Sequence, residues 1–350
     1  MKRTISLLLC FVTFLSLTLT GCDFLKQKES DELSVSMRRG ENFKIIQLAD
    51  LHFGEEGTRY HNSDEQRTIE FIDSIVESEK PDFIVLSGDN IMNSGIKGAR
   101  ELVEIMDRYK TPYTFVFGNH DATTYTLSYS KREISNFLES NPSPYLLYKS
   151  GYVDTTSENR YGNFSISLRD SESGELLGAF VIIDTGIYDY EIEAYQSITE
   201  GQIEWYKSEI ARLNDIYSAQ KNNAHEVIPT LTYGHIQLPD HFRAYKQAVE
   251  ENGAEFIYYQ QLGGWMQGTM NDSAATEPSS FFTAMKEMQS AKAYLCGHMH
   301  GMTFHVKTDG IILGFCPQTG STSNSQSPYK TFLYSFDESF ELSLKMLREE

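Results

Sequence analysis

Five times along this chain a short apolar run stops at glycine or alanine and then at side chains that bind metals or move protons. Phe43–Ala49 is followed by Asp50 and His52. Phe83–Leu86 ends in Ser87-Gly88-Asp89, and Tyr113–Phe117 in Gly118-Asn119-His120-Asp121. Val227–Tyr233 ends in Gly234-His235, and Ala293–Cys296 in Gly297-His298-Met299-His300. Apolar runs of this length, bounded by turn residues, read as buried strands. Phe180–Ile183 reads as another. Helical patterns lie between them. Ser63-x-x-Gln66 predicts a capping box ahead of Ile69, Ile72, Ile75 and Val76, and Thr199-x-x-Gln202 another ahead of Ile203, Tyr206 and Ile210. Lys97–Tyr109 and Ser279–Gln289 are the other predicted helices.

A βαβαβ series of this kind builds an α/β fold. Thr303–Lys307, Gly310–Phe315, Thr331–Ser335 and Glu341–Lys345 add antiparallel strands at the end. Residues 122–178 and 251–278 are polar interruptions, read as loops that shape a cleft. With 40% apolar residues in 350, a packed core is within reach and disorder is excluded as the main state. The expectation is one catalytic domain over residues 41–350.

In open α/β sheets, ligands bind beyond the carboxyl ends of the strands. Taken singly, each polar strand-end residue is as well explained by a turn or a buried hydrogen bond. Taken together they supply four imidazoles, two carboxylates and an amide oxygen. That mixed set suits Zn, Mn or Fe. Seven donors exceed one tetrahedral ion, but one bridging carboxylate lets them hold two. Two ions can clamp both oxygens of an in-line displacement, which points to phosphate-ester hydrolysis. Charge agrees. With 49 acidic against 30 basic side chains the net charge is −19, which argues against a nucleic-acid groove. An acidic protein that handles an anionic substrate needs positive charge from elsewhere.

The ordered set Asp50-x-His52, Gly88-Asp89, Gly118-Asn119-His120-Asp121, Gly234-His235 and Gly297-His298-x-His300 resembles the five motifs of the calcineurin-like metallophosphoesterases. Gln47–Gly54, Tyr233–Pro239 and Ser280-Phe281-Phe282 are similar to the branch of short purple-acid-phosphatase-like proteins and Dcr2-type phosphatases. The resemblance implies a two-sheet α/β/β/α sandwich. It also implies one ion held by Asp50, His52, Asp89 and His300, and another by Asp89, Asn119, His235 and His298. Asp89 would bridge together with a hydroxide that attacks phosphorus. His120 would assist the leaving oxygen, and Asp121 would orient its ring. Phosphomonoesters, small molecules or phosphoproteins, are the favoured substrates. A diesterase or nucleotide hydrolase is an alternative, and so is a catalytically silent surface-binding protein. Phe53 stands where purple enzymes carry a tyrosine ligand, so a purple Fe(III) site is not expected. Met299 replaces an acidic residue between the last two histidines and is expected to point away from the ions.

The N-terminus reads as an address. Lys2 and Arg3 precede the uncharged, mostly apolar run Ile5–Leu19, then Leu19-Thr20-Gly21-Cys22. This resembles a bacterial lipoprotein signal over residues 1–21, which implies lipidation of Cys22 and anchoring in the cell envelope. Residues 22–40 are expected to be the tether. Cleavage leaves 28 basic and 49 acidic side chains, a net charge of −21. Cys10 leaves with the signal, and Cys296 and Cys316 are expected to be buried free thiols. His225, His241 and His305 match no motif, and His241 is expected at the surface. His61, Arg59, Tyr125, Tyr161 and Asn163 are candidate cleft or substrate contacts.

Overall fold

The computed structural model describes residues 32–349 apart from 55–62, 93, 123–129, 141–142, 156–159, 192, 224, 251–252, 262–275 and 323–327. The first half runs β1 (Ser34–Met37), β2 (Phe43–Leu48), β3 (Phe53–Gly54), α1 (Glu65–Glu79), β4 (Phe83–Ser87), β5 (Ile91–Met92), α2 (Gly95–Asp107), β6 (Tyr113–Val116) and α3 (Lys131–Ser140). Then come β7 (Tyr152–Asp154), β8 (Arg160–Asp170), β9 (Leu176–Ile182), β10 (Tyr188–Asp189), β11 (Ala194–Tyr195), α4 (Glu200–Lys221) and β12 (Thr230–Tyr233). The chain ends with α5 (Pro239–Val249), β13 (Ala254–Gln261), α6 (Ser280–Met288), β14 (Ala291–Cys296), β15 (Met302–Thr308), β16 (Ile311–Phe315), β17 (Lys330–Phe336) and β18 (Ser343–Arg348).

Two sheets carry the fold. The smaller has the order β18-β17-β2-β4-β6, and the larger β1-β8-β9-β12-β14-β16-β15-β13 with β7 paired to β8. β2, β4 and β6 run parallel, as do β9, β12, β14 and β16. The sheets meet face to face: Phe180 of β9 stacks on Phe43 and Phe83 at ring separations of 5.9 and 5.2 Å. The period of two along β9 explains the layering. Phe180 and Ile182 join the core shared with the smaller sheet, while Ala179, Val181 and Ile183 join a second core with Tyr206, Ile210 and Leu213 of α4. α5 and α6 add Phe242, Tyr245, Phe281 and Phe282 to that second core. α1 and α2 bury Phe71, Ile72, Leu102 and Met106 with the smaller sheet. Each such side chain contributes about 1.5–3 kcal/mol by leaving water. The expected two-sheet α/β arrangement is what the chain forms.

Three local expectations are revised. Residues 34–37, placed in the tether, form β1 on the edge of the larger sheet, with Val35 and Met37 buried against it. Four alternating residues are too short a signal to separate a strand from a polar linker. The interruptions at 122–178 and 251–278 contain β8 and β13, both full members of the larger sheet. In β8 the signal was the alternation of Phe164, Ile166 and Leu168, masked by Ser165 and Ser167 between them. Finally, α1 is capped by Asp64, which accepts from Arg67 N, whereas Ser63 bonds to Ser321. The Thr199/Gln202 capping box of α4 forms as expected.

Candidate metal centre

The ligand-bearing loops leave the carboxyl ends of β2, β4 and β6 in one sheet and β12 and β14 in the other. Because the sheets face each other, these ends converge. Backbone bonds stitch them: Asp50 N donates to Gly88 O at 3.0 Å, and His52 N to Asp89 O at 2.9 Å. Across the sheets, His298 N donates to Asp50 Oδ2 at 3.0 Å, and His235 Nδ1 lies 3.0 Å from Ser87 O.

The loops turn sharply. Asp50, His52, Asp89 and His298 all have positive φ, at 54°, 53°, 49° and 73°. Non-glycine residues held there store strain, which concentrates at functional sites. The preceding glycines leave room for this. A Cβ on Gly88 would stand 2.4 Å from the His235 ring, and one on Gly118 would stand 2.1 Å from Asp89 N.

Two clusters result. Asp50, His52 and His300 bring their donor atoms within 4.8 Å of one another, and so do Asp89, His235 and His298. His300 Nε2 is 3.2 Å from Asp50 Oδ1 and 3.4 Å from His52 Nε2. His235 Nε2 is 3.1 Å and His52 Nε2 4.0 Å from the same oxygen, Asp89 Oδ2. Asp89 therefore lies between the clusters, where a bridging ligand belongs. Asn119 is buried with its side-chain oxygen lacking any hydrogen-bond partner among the described residues. A buried acceptor of this kind costs about 1–3 kcal/mol if left unmatched. The donor set and the orphaned oxygen fit two cations of the Mn, Fe or Zn type.

The electrostatics agree. Burial raises the Asp50 and Asp89 carboxyls, but facing imidazoles, His300 for Asp50 and His235 for Asp89, outweigh it and hold both below the ordinary carboxylate range. Burial pushes His52 and His298 down to about 3, which leaves them neutral and able to ligate. His235 goes the other way. Burial opposes its charge, yet Asp89 raises it to about 9. Asp50 adds to the same effect, so both buried carboxylates favour positive charge there.

His120 and Asp121 need separate treatment. His120 N donates to Asp89 Oδ1 at 2.7 Å, and its Nε2 is 4.0 Å from Asp89 Oδ2, so the ring is at the clusters and partly exposed. Asp121 is engaged by the backbone around it. Its carboxylate accepts from the backbone N–H groups of Asn90, Ile91 and Gly118 and from Asn90 Nδ2. It ties the β4 loop to the β6 loop and shapes the backbone that carries His120. Asn90, which also donates to Val116 O, was not singled out in the sequence. Its position directly after Asp89 was the available signal.

The remaining candidates divide. Met299 packs against the outer core, as expected. Asn163 is fully buried and bonded to Gln202, Asp184 and Tyr152, and Tyr161 N donates to Asp184. Both lie on β8 and are buried, not on a loop. His241 is buried in α5 with Nε2 3.5 Å from Cys296 Sγ, contrary to a surface position. It sits in the first turn of a helix whose inner face the sequence left unassigned. His305 is buried against Tyr334, and His225 is exposed. Cys296 and Cys316 are buried and free. Arg59, His61, Tyr125 and Cys22 lie outside the described residues.

Residues 43–302 match the family described as calcineurin-like phosphoesterase, and the chain belongs to that family. It is 27% identical over 339 residues to an Arabidopsis thaliana protein named "Probable inactive purple acid phosphatase 29", covering 89% of this chain and 80% of that one. It is 26% identical over 285 residues to "Phosphatase DCR2" of Saccharomyces cerevisiae, covering 76% of this chain and 45% of that one. A dimetal phosphatase from Danio rerio aligns over 88% of this chain and 99% of its own, at 10% identity and a TM-score of 0.49. Purple-acid-phosphatase-like and Dcr2 proteins are thus among its relatives, as the motif context implied.

Proposed function

We propose that this protein is a two-metal phosphoric-ester hydrolase that favours monoesters. The observation carrying the reading is the pair of three-residue clusters meeting at Asp89. Asp50, His52, Asp89 and His300 would hold one ion, and Asp89, Asn119, His235 and His298 the other. Two such ions supply Lewis-acid neutralisation of phosphoryl oxygens and acidify water.

The chain's own residues do the rest. The bridging position of Asp89 sets the spacing of the two sites. Its Oδ1 accepts from His120 N, which fixes the His120 backbone relative to the reacting centre. The His120 ring, at the exposed side of the clusters, holds a proton at Nε2 for the departing oxygen. Asp121 holds the loop beneath it. Substrates are phosphorylated small molecules or phosphoproteins.

A catalytically silent binding protein is the second reading, favoured by the word "inactive" in the names of three relatives. A metal-by-substrate matrix decides between them. Protein loaded with Mn, Fe or Zn is assayed on p-nitrophenyl phosphate and bis-p-nitrophenyl phosphate. Turnover of the monoester at a higher kcat/KM supports the first reading. Metal bound at two per chain without turnover of either ester supports the second.

We also propose lipid anchoring at Cys22, placing the domain at the cell envelope. Leu19-Thr20-Gly21-Cys22 after an apolar run supports it. With β1 starting at Ser34, the tether would be residues 23–33, a reach of at most about 40 Å. Mass spectrometry of the membrane fraction tests this: a diacylglyceryl N-terminal Cys22 is expected.

A further inference from the structure

A cavity of about 430 Å³ opens beside the Asp89–His235–His298 cluster. One wall is the segment directly after His235: Ile236, Gln237 and Leu238. A second wall is Tyr195 of the β10–β11 hairpin and Ile198, and the third is Ser280 and Phe281 at the start of α6. Tyr195 joins the cavity to the cluster, because its ring stands edge-on to His298 with centroids 4.5 Å apart. Behind Tyr195, Tyr188 and Tyr190 extend the aromatic surface, at 5.1 Å from Tyr188 to Tyr195 and 5.0 Å from Tyr188 to Tyr190.

The His235 wall is rigid. Ile236 N donates to Thr185 Oγ1 at 3.0 Å, and Ile236 O accepts from Tyr294 OH at 3.0 Å. Gln237 follows on this fixed backbone, and its side-chain oxygen is buried with no hydrogen-bond partner among the described residues. None of the described lining residues is charged. A second phosphate or a carboxylate placed here would lose its water with no countercharge in return. An uncharged ring or alkyl group with a hydroxyl or N–H would gain apolar contact and could donate to Gln237. The volume is that of a small-molecule site, not of a single water.

We propose that this cavity is the leaving-group pocket, and that the substrates are phosphate esters of bulky uncharged alcohols or phenols, not polyphosphates or small polyanions. Ile198, Ile236 and Tyr195 would grip the organic group, and Gln237 would set its orientation. This specificity rests on the hydrolase reading, but binding can be measured without turnover.

The test uses two non-hydrolysable probes on the metal-loaded full chain, methylphosphonate and 1-naphthylmethylphosphonate, by calorimetry. The wild type is expected to bind the naphthyl probe at least tenfold more tightly. Ser280→Trp, which fills the mouth from an exposed helix position, is expected to bring the two affinities together, and Gln237→Leu to change them far less. Ile198→Trp fills the cavity from the opposite wall and serves if Ser280→Trp does not melt like the wild type. Equal affinities in the wild type, or a preference that survives both tryptophans, would overturn the pocket. A naphthyl preference in a protein that turns over no ester would leave the pocket standing and overturn the hydrolase reading.

Discussion

Two buried polar clusters sit at strand ends in this molecule, and they are built on opposite principles. One surrounds Asp184, just past β9. Lys131 Nζ donates to its Oδ1 at 2.6 Å, Gly186 N at 2.9 Å and Tyr161 N to Oδ2 at 3.2 Å. Arg160 reaches Asp184 O and the side-chain oxygens of Gln202 and Gln196. This cluster matches its carboxylate with a lysine of the same chain, while its arginine is taken up by carbonyl and amide oxygens. The other surrounds Asp89. It has two carboxylates, four imidazoles and the orphaned Asn119 oxygen, and among the described residues no lysine or arginine pairs with Asp50 or Asp89. A buried network completed within the chain is structural. One that lacks only cations is shaped for them.

Removing the central carboxylate should break the contrast most sharply. Asp89→Ala is expected to lose both ions and at least about a thousandfold in turnover, since both sites share that ligand. Metal analysis with p-nitrophenyl phosphate kinetics checks it, and two retained ions would refute the bridging role. His120→Ala should keep its metal and lose about 10²–10⁴ in kcat, the usual worth of a positioned proton donor.

The Asp184 cluster should respond in stability instead. Lys131→Met strands a buried carboxylate and is expected to cost about 3–5 kcal/mol in urea unfolding, with metal content unchanged in the folded fraction. His241 is a control for the ligand histidines. Burial lowers it to about 3, so below pH 6.5 the unfolded chain takes up a proton that the folded chain refuses. Stability should therefore fall as pH drops from 6.5 toward 3, by about 2 kcal/mol at pH 5 from this group. His241→Phe should flatten that slope in melts at pH 5 and 7.

Asn119→Ala gives the smallest and most discriminating effect. In metal-free protein it removes an unmatched acceptor, so stability should hold or rise by about 1 kcal/mol. Metal affinity should fall. A loss of metal-free stability would show that Asn119 is structural after all.

The candidate ligands were readable in the sequence because each stands just past an apolar run that stops at glycine or alanine, a local pattern that survives without knowledge of neighbours. β8 and β13 were not, since polar residues interrupt their apolar alternation and only their pairing partners make them strands. Asp184 was missed for a related reason. It ends β9 without a histidine or a motif beside it, and its importance comes from Lys131, far off in sequence. Tyr161 and Asn163 looked like loop residues until the larger sheet enclosed them.

By itself the sequence determined the fold class, the strand ends that matter and the chemistry of the donor set, because residue type and local spacing carry that information. The tertiary structure alone decided that Asp89 falls between two clusters, that Asp121 accepts from the backbone of two loops, and that a cavity whose described lining is uncharged opens beside His298. Those facts depend on the distance between loops of two facing sheets. Such distances are set by core packing between residues hundreds of positions apart, which no local pattern encodes.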